Sequence, residues 1–180
     1  MMKKINILFI LFFSVTFGCA HQESSGEIKT LITYSEILAK GLLENAEKAS
    51  QHRPFPILVK NQPILVISLA DLNKLESSSN FGRTVGELLS SQFVAHGYLV
   101  AEIKATGRIL IRKDEGEFSL SREVKSISSQ HGAQAIITGT YSVLGDRIYI
   151  TPKIIDNDGN ILSSYSLSIP NRYIKQPSSE

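Results

Sequence analysis

The sequence predicts one α/β domain, a mixed sheet in the order β-α-β-β-α-β-β-β with helices packed on it, preceded by an N-terminal amphipathic helix. Three observations predict this. Pro63 to Leu69 is almost unbroken aliphatic sequence, as in a strand covered on both faces. Two segments of helical period each end in His-Gly, at His96-Gly97 and at His131-Gly132. Residues 133–169 hold three apolar runs separated by Gly145-Asp146 and Asp158-Gly159, which reads as a meander.

The first element is the N-terminus. Lys3 and Lys4 precede an apolar run from Ile5 to Phe17, followed by Gly18-Cys19-Ala20. Such a run falls short of the roughly 20 residues needed to span a bilayer, so residues 1–18 read as a secretory signal peptide. Cys19, the only cysteine, stands where a lipoprotein signal peptidase would leave it as the first residue, and it is the candidate lipidation site. Gly18-x-Ala20 also fits an ordinary signal peptidase cutting after Ala20, which would leave a soluble periplasmic protein. Ala20 rather than an aspartate next to the cysteine favours, by resemblance to other bacterial lipoproteins, release to the outer membrane over retention at the inner one. Loss of the two lysines leaves 19 − 2 = 17 basic against 17 acidic side chains. A neutral domain has no long-range field to draw it onto nucleic acid or an anionic lipid surface, and nucleic acid is excluded as a main partner. With no second cysteine there is no internal disulfide, so stability must come from the core.

Residues 19–26 are a polar, Ser-rich tether. Ile28, Leu31, Ile32, Ser35, Leu38, Ala39, Leu42, Leu43 and Ala46 then recur at helical spacing, which makes 27–52 an amphipathic helix with Gly41 as its weak point. His52-Arg53-Pro54-Phe55-Pro56 ends it. The domain proper is expected over 57–170, opening on a minor extended piece at 57–59. After the 63–69 strand comes a polar loop, then a helix capped by Ser79 or Asn80 with Phe81, Val85, Leu88, Leu89 and Phe93 on one stripe. Residues 98–104 and 108–113 read as a hairpin, and 120–131 as a second helix capped by Ser119. Both helices are expected on one face of the sheet, with a right-handed parallel crossover at the first β-α-β step. In 147–156, Ile148, Ile150, Pro152 and Ile154 share one face, and Pro152 predicts a bulge or an edge. Residues 171–180 read as a flexible tail.

Catalytic signatures are absent. There is no nucleophile elbow, P-loop, dinucleotide fingerprint or Cys pair, and no histidine has a ligand partner three or four residues away. Asp156-Asn157-Asp158-Gly159-Asn160 resembles the start of a calcium loop, but the twelfth position is Leu167 and a β-turn accounts for it. No enzyme activity, catalytic residue, cofactor or metal is expected.

Three clusters stand out: Ser77 to Arg83, of which Ser78 to Arg83 is the part with a motif, Leu120-Ser121-Arg122, and Gly139-Thr140-Tyr141. Their architectural reading is capping and close packing around Ser78, Phe81, Gly82, Ser121, Gly139, Thr140 and Tyr141. Their functional reading makes Arg83 and Arg122, both at helix starts, an anion or partner site.

On these residues, together with Glu102, Glu115-Gly116-Glu117 and Asp158-Gly159 in the same order, the chain resembles the FlgO family of flagellum-associated outer-membrane lipoproteins over about residues 62–169. The resemblance implies a part in flagellar assembly, stability or motility through contacts with periplasmic or flagellar basal-body proteins, and no turnover. The fold it implies is similar to the N-terminal domain of TolB and to lipoproteins of curli secretion and peptidoglycan-synthase activation. The alternative is therefore an envelope adaptor for secretion or cell-wall synthesis. Exposed strands at the end of the meander make self-association a further candidate.

Overall fold

Thr30 sets the start of the first helix. Its backbone is extended and its hydroxyl accepts the Thr33 amide at 3.3 Å, so α1 runs Leu31–Ser50. The computed structural model describes residues 30–51, 58–74, 79–101, 127–128 and 130–174. The expected start of α1 at residue 27, the signal peptide and the tether thus lie outside the described residues. Ser35, Leu38, Ala39, Gly41, Leu42 and Ala46 are buried, as a helix face of 3.6-residue period requires. Ile32, expected on that face, is instead 58% exposed. Gly41 is no weak point: a Cβ there would overlap the Tyr165 ring, so its bareness lets the last part of the sheet close on the helix.

The aliphatic run forms two short strands, β1 (Ile64–Val66) and β2 (Ala70–Asp71), where one was expected. Val66 pairs with Ile137 and Ala70 with Thr140, so four steps on one strand face three on the other. One residue is therefore extra, as in a bulge, and the Leu69 amide leaves the sheet to bond to the Gly82 carbonyl at 3.1 Å.

Helix α2 (Asn80–Ala95) follows, capped by Ser79, whose Oγ accepts the Gly82 amide at 2.8 Å. It buries Phe81, Val85, Leu89 and Phe93 and stops at His96, with Gly97 at a φ of 81°. Strand β3 (Val100–Ala101) then pairs in parallel with β1, as the crossover predicts. The remainder of the expected hairpin, and most of the expected 120–131 helix, fall outside the described residues. Residues 127–128 and 130–131 are helical, and Gly132 has a φ of 59°.

The meander closes the domain. Strand β4 (Ala135–Leu144) pairs along its full length with β5 (Arg147–Asp156) through the two-residue turn Gly145-Asp146. The last expected strand is divided into β6 (Ile161–Ser164) and β7 (Leu167–Pro170). Pro152 is at the division: its carbonyl accepts the Tyr165 amide at 3.3 Å, so its missing donor faces the gap between the two short strands. It lies not at an edge but in an inner strand beside a break in the partner. Beyond β7, Asn171–Tyr173 is a short 3-10 helix tied to the turn by Asn171 N–H to Asp146 O at 2.8 Å. The expected flexible tail is thus ordered through Tyr173, whose ring meets Tyr34 of α1 edge-on.

The sheet order is β3-β1-β4-β5-β6, with β2 on β4 and β7 on β5. Because side chains alternate along a strand, Ile64, Ala135, Ile137 and Ile154 face α1 and α2, while Leu65, Ile136 and Ile155 face away. Ile127 packs on that second group. The later helical segment therefore covers the face opposite α2, and α1 takes the place beside α2, contrary to the expectation that both later helices share a face. A strand buried on both sides requires a cover on each.

Candidate functional site

Two of the three sequence clusters converge where the start of α2 meets the end of β2 and the middle of β4. Phe81 and Tyr141 are both buried, with ring centroids 4.9 Å apart in an edge contact, a geometry favoured by the ring quadrupoles. The Tyr141 hydroxyl donates to Asp71 Oδ2 at 3.3 Å, and the Ser79 hydroxyl hydrogen-bonds the same phenol. Asp71 also accepts the Asn73 amide at 2.9 Å. Burial first, and then the Asp71 carboxylate, push the Tyr141 phenol above its ordinary value.

The glycines are positions of close approach. A Cβ on Gly82 would fall on the Leu69 carbonyl, and one on Gly86 would lie 3.2 Å from the Ile67 carbonyl. Four residues apart, they form a furrow in α2 that holds the bulged 67–69 segment. A Cβ on Gly139 would overlap the Thr151 carbonyl across the β4–β5 ladder. Thr140 pairs with Ala70 and Thr151 and projects to the opposite side from Tyr141, so it stands apart from the cluster. Arg83 is exposed, and its guanidinium donates to Asn80 Oδ1 within the first turn of its own helix. Ser78, Ser121, Arg122 and Cys19 lie outside the described residues.

Sequence reasoning missed Asp71, which it placed in a loop, and Gln134. The Gln134 side chain accepts the Val59 amide at 2.8 Å and donates to the Val59 carbonyl at 2.7 Å, so one amide imitates a strand neighbour for the 58–62 segment. Its signal was a lone amide inside the apolar run 133–137. Asp156 was visible only as part of a turn. Its carboxylate accepts the amides of Asp158 at 2.9 Å and Asn160 at 2.8 Å, which accounts for the acidic cluster without an ion. No group of three or more metal-type ligands occurs among the described residues. Nor is any helix among them long and apolar enough to cross a membrane.

This arrangement spends its polar groups on one another, so it holds two elements in register. Tyr141→Phe tests it. Loss of one net hydrogen bond, with Asp71 still partly hydrated, should cost about 1 kcal/mol in urea unfolding. The raised phenol carries a pH signature as well. The folded state keeps a proton that the unfolded chain gives up above about pH 10, so this contribution is complete below that pH and fades above it. The variant should lose that alkaline decline; an unchanged profile would remove Tyr141 from the account.

A family model described as "FlgO protein" matches residues 36–174. Among solved structures, the chain is similar to the LpoB C-terminal domain from Escherichia coli, with a TM-score of 0.51 at 11% identity over 74% of this chain and 98% of that one. The same domain from Salmonella enterica gives 0.47 at 12% identity, covering 73% and 97%. The lipoprotein GNA1162 from Neisseria meningitidis gives 0.43 at 18% identity, covering 66% and 86%. At these identities the likeness concerns the fold. None of the curated proteins matches the chain in sequence.

Proposed function

The chain belongs to the FlgO family, and from that premise we propose that it is an exported lipoprotein, anchored through Cys19 to the periplasmic face of the outer membrane, that supports flagellar assembly or stability by protein contacts. The observation that carries this reading is the family match across residues 36–174, which takes in α1 through the 3-10 helix. The fold agrees with a non-enzymatic role. The family-like motifs around Ser79, Phe81, Gly82, Gly139 and Tyr141 serve packing, and their hydroxyl and carboxylate groups bond one another. The partners are then periplasmic or flagellar basal-body proteins, met by the exposed surface around this frame.

The experiment is a clean deletion in the native organism. Cells lacking the gene should swim poorly, with fewer or unstable flagella, and a plasmid copy should restore them. Normal flagella and normal swimming would sink the flagellar reading. A deletion that instead sensitises cells to cell-wall stress would favour an envelope adaptor.

A further inference from the structure

Both helices begin at one pole of the domain. The start of α1 lies there because Tyr34 meets Tyr173 at 6.0 Å, and the 3-10 helix is tied to the β4–β5 turn. The start of α2 lies there because Phe81 packs on Tyr141 of β4. Leu144 at the end of β4 is 62% exposed, Ile32 in the first turn of α1 is 58% exposed, and Leu72 after β2 is 53% exposed. Among the described residues, Lys74, Arg83, Arg147 and Arg172 share this pole with Asp71 and Asp146, with Glu36 and Glu87 a turn further back. The far pole carries Glu47, Asp156 and Asp158 against Lys48 and Lys60. It has exposed apolar residues too, Val94, Leu99 and Ile161, so apolarity alone does not choose between the ends.

Chain length does. Resting on the proposed acylation of Cys19, we infer that the pole formed by the start of α1, the β4–β5 turn and the 3-10 helix lies against the phospholipid surface. Residues 20–29 separate the cysteine from Thr30. A ten-residue coil has a typical reach of about 17 Å, and ten residues drawn straight have a limit of about 35 Å. Helix α1 has 20 residues and is about 30 Å long, so its far end can meet the membrane only with the tether pulled almost straight. The near pole also has lysine and arginine side chains that lipid phosphates attract, with aliphatic side chains at the tips to enter the headgroup layer. Arginines beside aromatic rings, as Arg172 is beside Tyr173 at 5.3 Å, suit that boundary. The far pole and the flanks of the sheet are left for protein partners.

The chain has no tryptophan, so one introduced indole is an unambiguous reporter. The full acylated protein carrying Leu144→Trp, or separately Leu99→Trp, is reconstituted in vesicles of phosphatidylethanolamine and phosphatidylglycerol with brominated acyl chains. Both sites are exposed, so both variants should fold. Quenching at position 144 should exceed that at position 99 by about twofold or more, and Arg83→Glu with Arg172→Glu should reduce it. Equal quenching, or stronger quenching at position 99, overturns the orientation while leaving the anchor intact. Vesicle flotation and an intact mass run on the same samples separate the two ideas, since a chain without acyl groups that fails to float defeats both.

Discussion

Gly82→Ala should destabilise the domain by about 3 kcal/mol, although alanine is the better helix former. In an open helix the exchange would stabilise by up to about 1 kcal/mol. Here the new methyl group would fall on the Leu69 carbonyl, a backbone atom held by its neighbours in the β1–β2 bulge. Neither side can swing away as a side chain would. Either α2 is lifted off the sheet, opening a gap beside Phe81 and Val85, or the Leu69 N–H to Gly82 carbonyl bond of 3.1 Å is broken. Gly86→Ala is the matched control, because its nearest atoms lie at 3.2 to 3.3 Å and a small shift relieves them. Helix preference and crowding then nearly cancel. Urea unfolding of both variants, compared at constant slope, checks the contrast. Equal stabilities for the two would mean that the furrow is not what seats the strand.

That contrast also shows which parts of the structure were legible in the chain. Caps and stops were, because they are local: Ser79 bonds three residues on, and His96-Gly97 needs only a positive φ. The β4–β5 hairpin was legible for the same reason, since alternation and a Gly-Asp turn set its register together. The bulge at Leu69 was not. It depends on Gly82, a residue on another element, and nothing in an aliphatic run marks where one residue will be extra. The division of the last strand likewise depends on Tyr165 lying over Gly41, far away in sequence. The assignment of both later helices to one face failed despite available evidence. An unbroken run such as 63–69 already requires covers on two faces, so one helix above and one segment below was the consistent choice.

The candidate site divided along the same line. Ser79, Phe81, Gly82, Gly139 and Tyr141 were singled out from the sequence; the structure joins Ser79, Phe81, Gly82 and Tyr141 in one packed junction, while Gly139 allows the close approach of β5 to β4. Asp71 was overlooked because an acid that follows an apolar strand reads as loop. Only pairing of β2 with β4 places it beside the Tyr141 hydroxyl. Thr140 was included because it lies between Gly139 and Tyr141 in sequence, yet strand alternation sends it to the other face.

On the proposed acylation of Cys19, Cys19→Ser should move the protein out of the outer membrane altogether, the largest effect expected of any single change. The thiol is the only nucleophile that a lipid transferase could acylate at this position, and a serine hydroxyl there would leave the signal sequence without lipoprotein processing. Each buried methylene contributes about 0.8 kcal/mol, so loss of several acyl chains lowers membrane partitioning by many orders of magnitude. The aliphatic tips and the cationic side chains at that pole cannot replace that. The variant should therefore appear as a soluble periplasmic species or an uncleaved precursor, without palmitate label, and swimming should fall to the level of the deletion. Ala20→Asp separates anchor from address: it keeps the acyl groups while redirecting the protein to the inner membrane, and it too should fail to restore motility. A Cys19→Ser protein found at normal abundance in the outer membrane, or an acyl-free native chain beginning at His21, would mean that attachment is made by the folded domain itself.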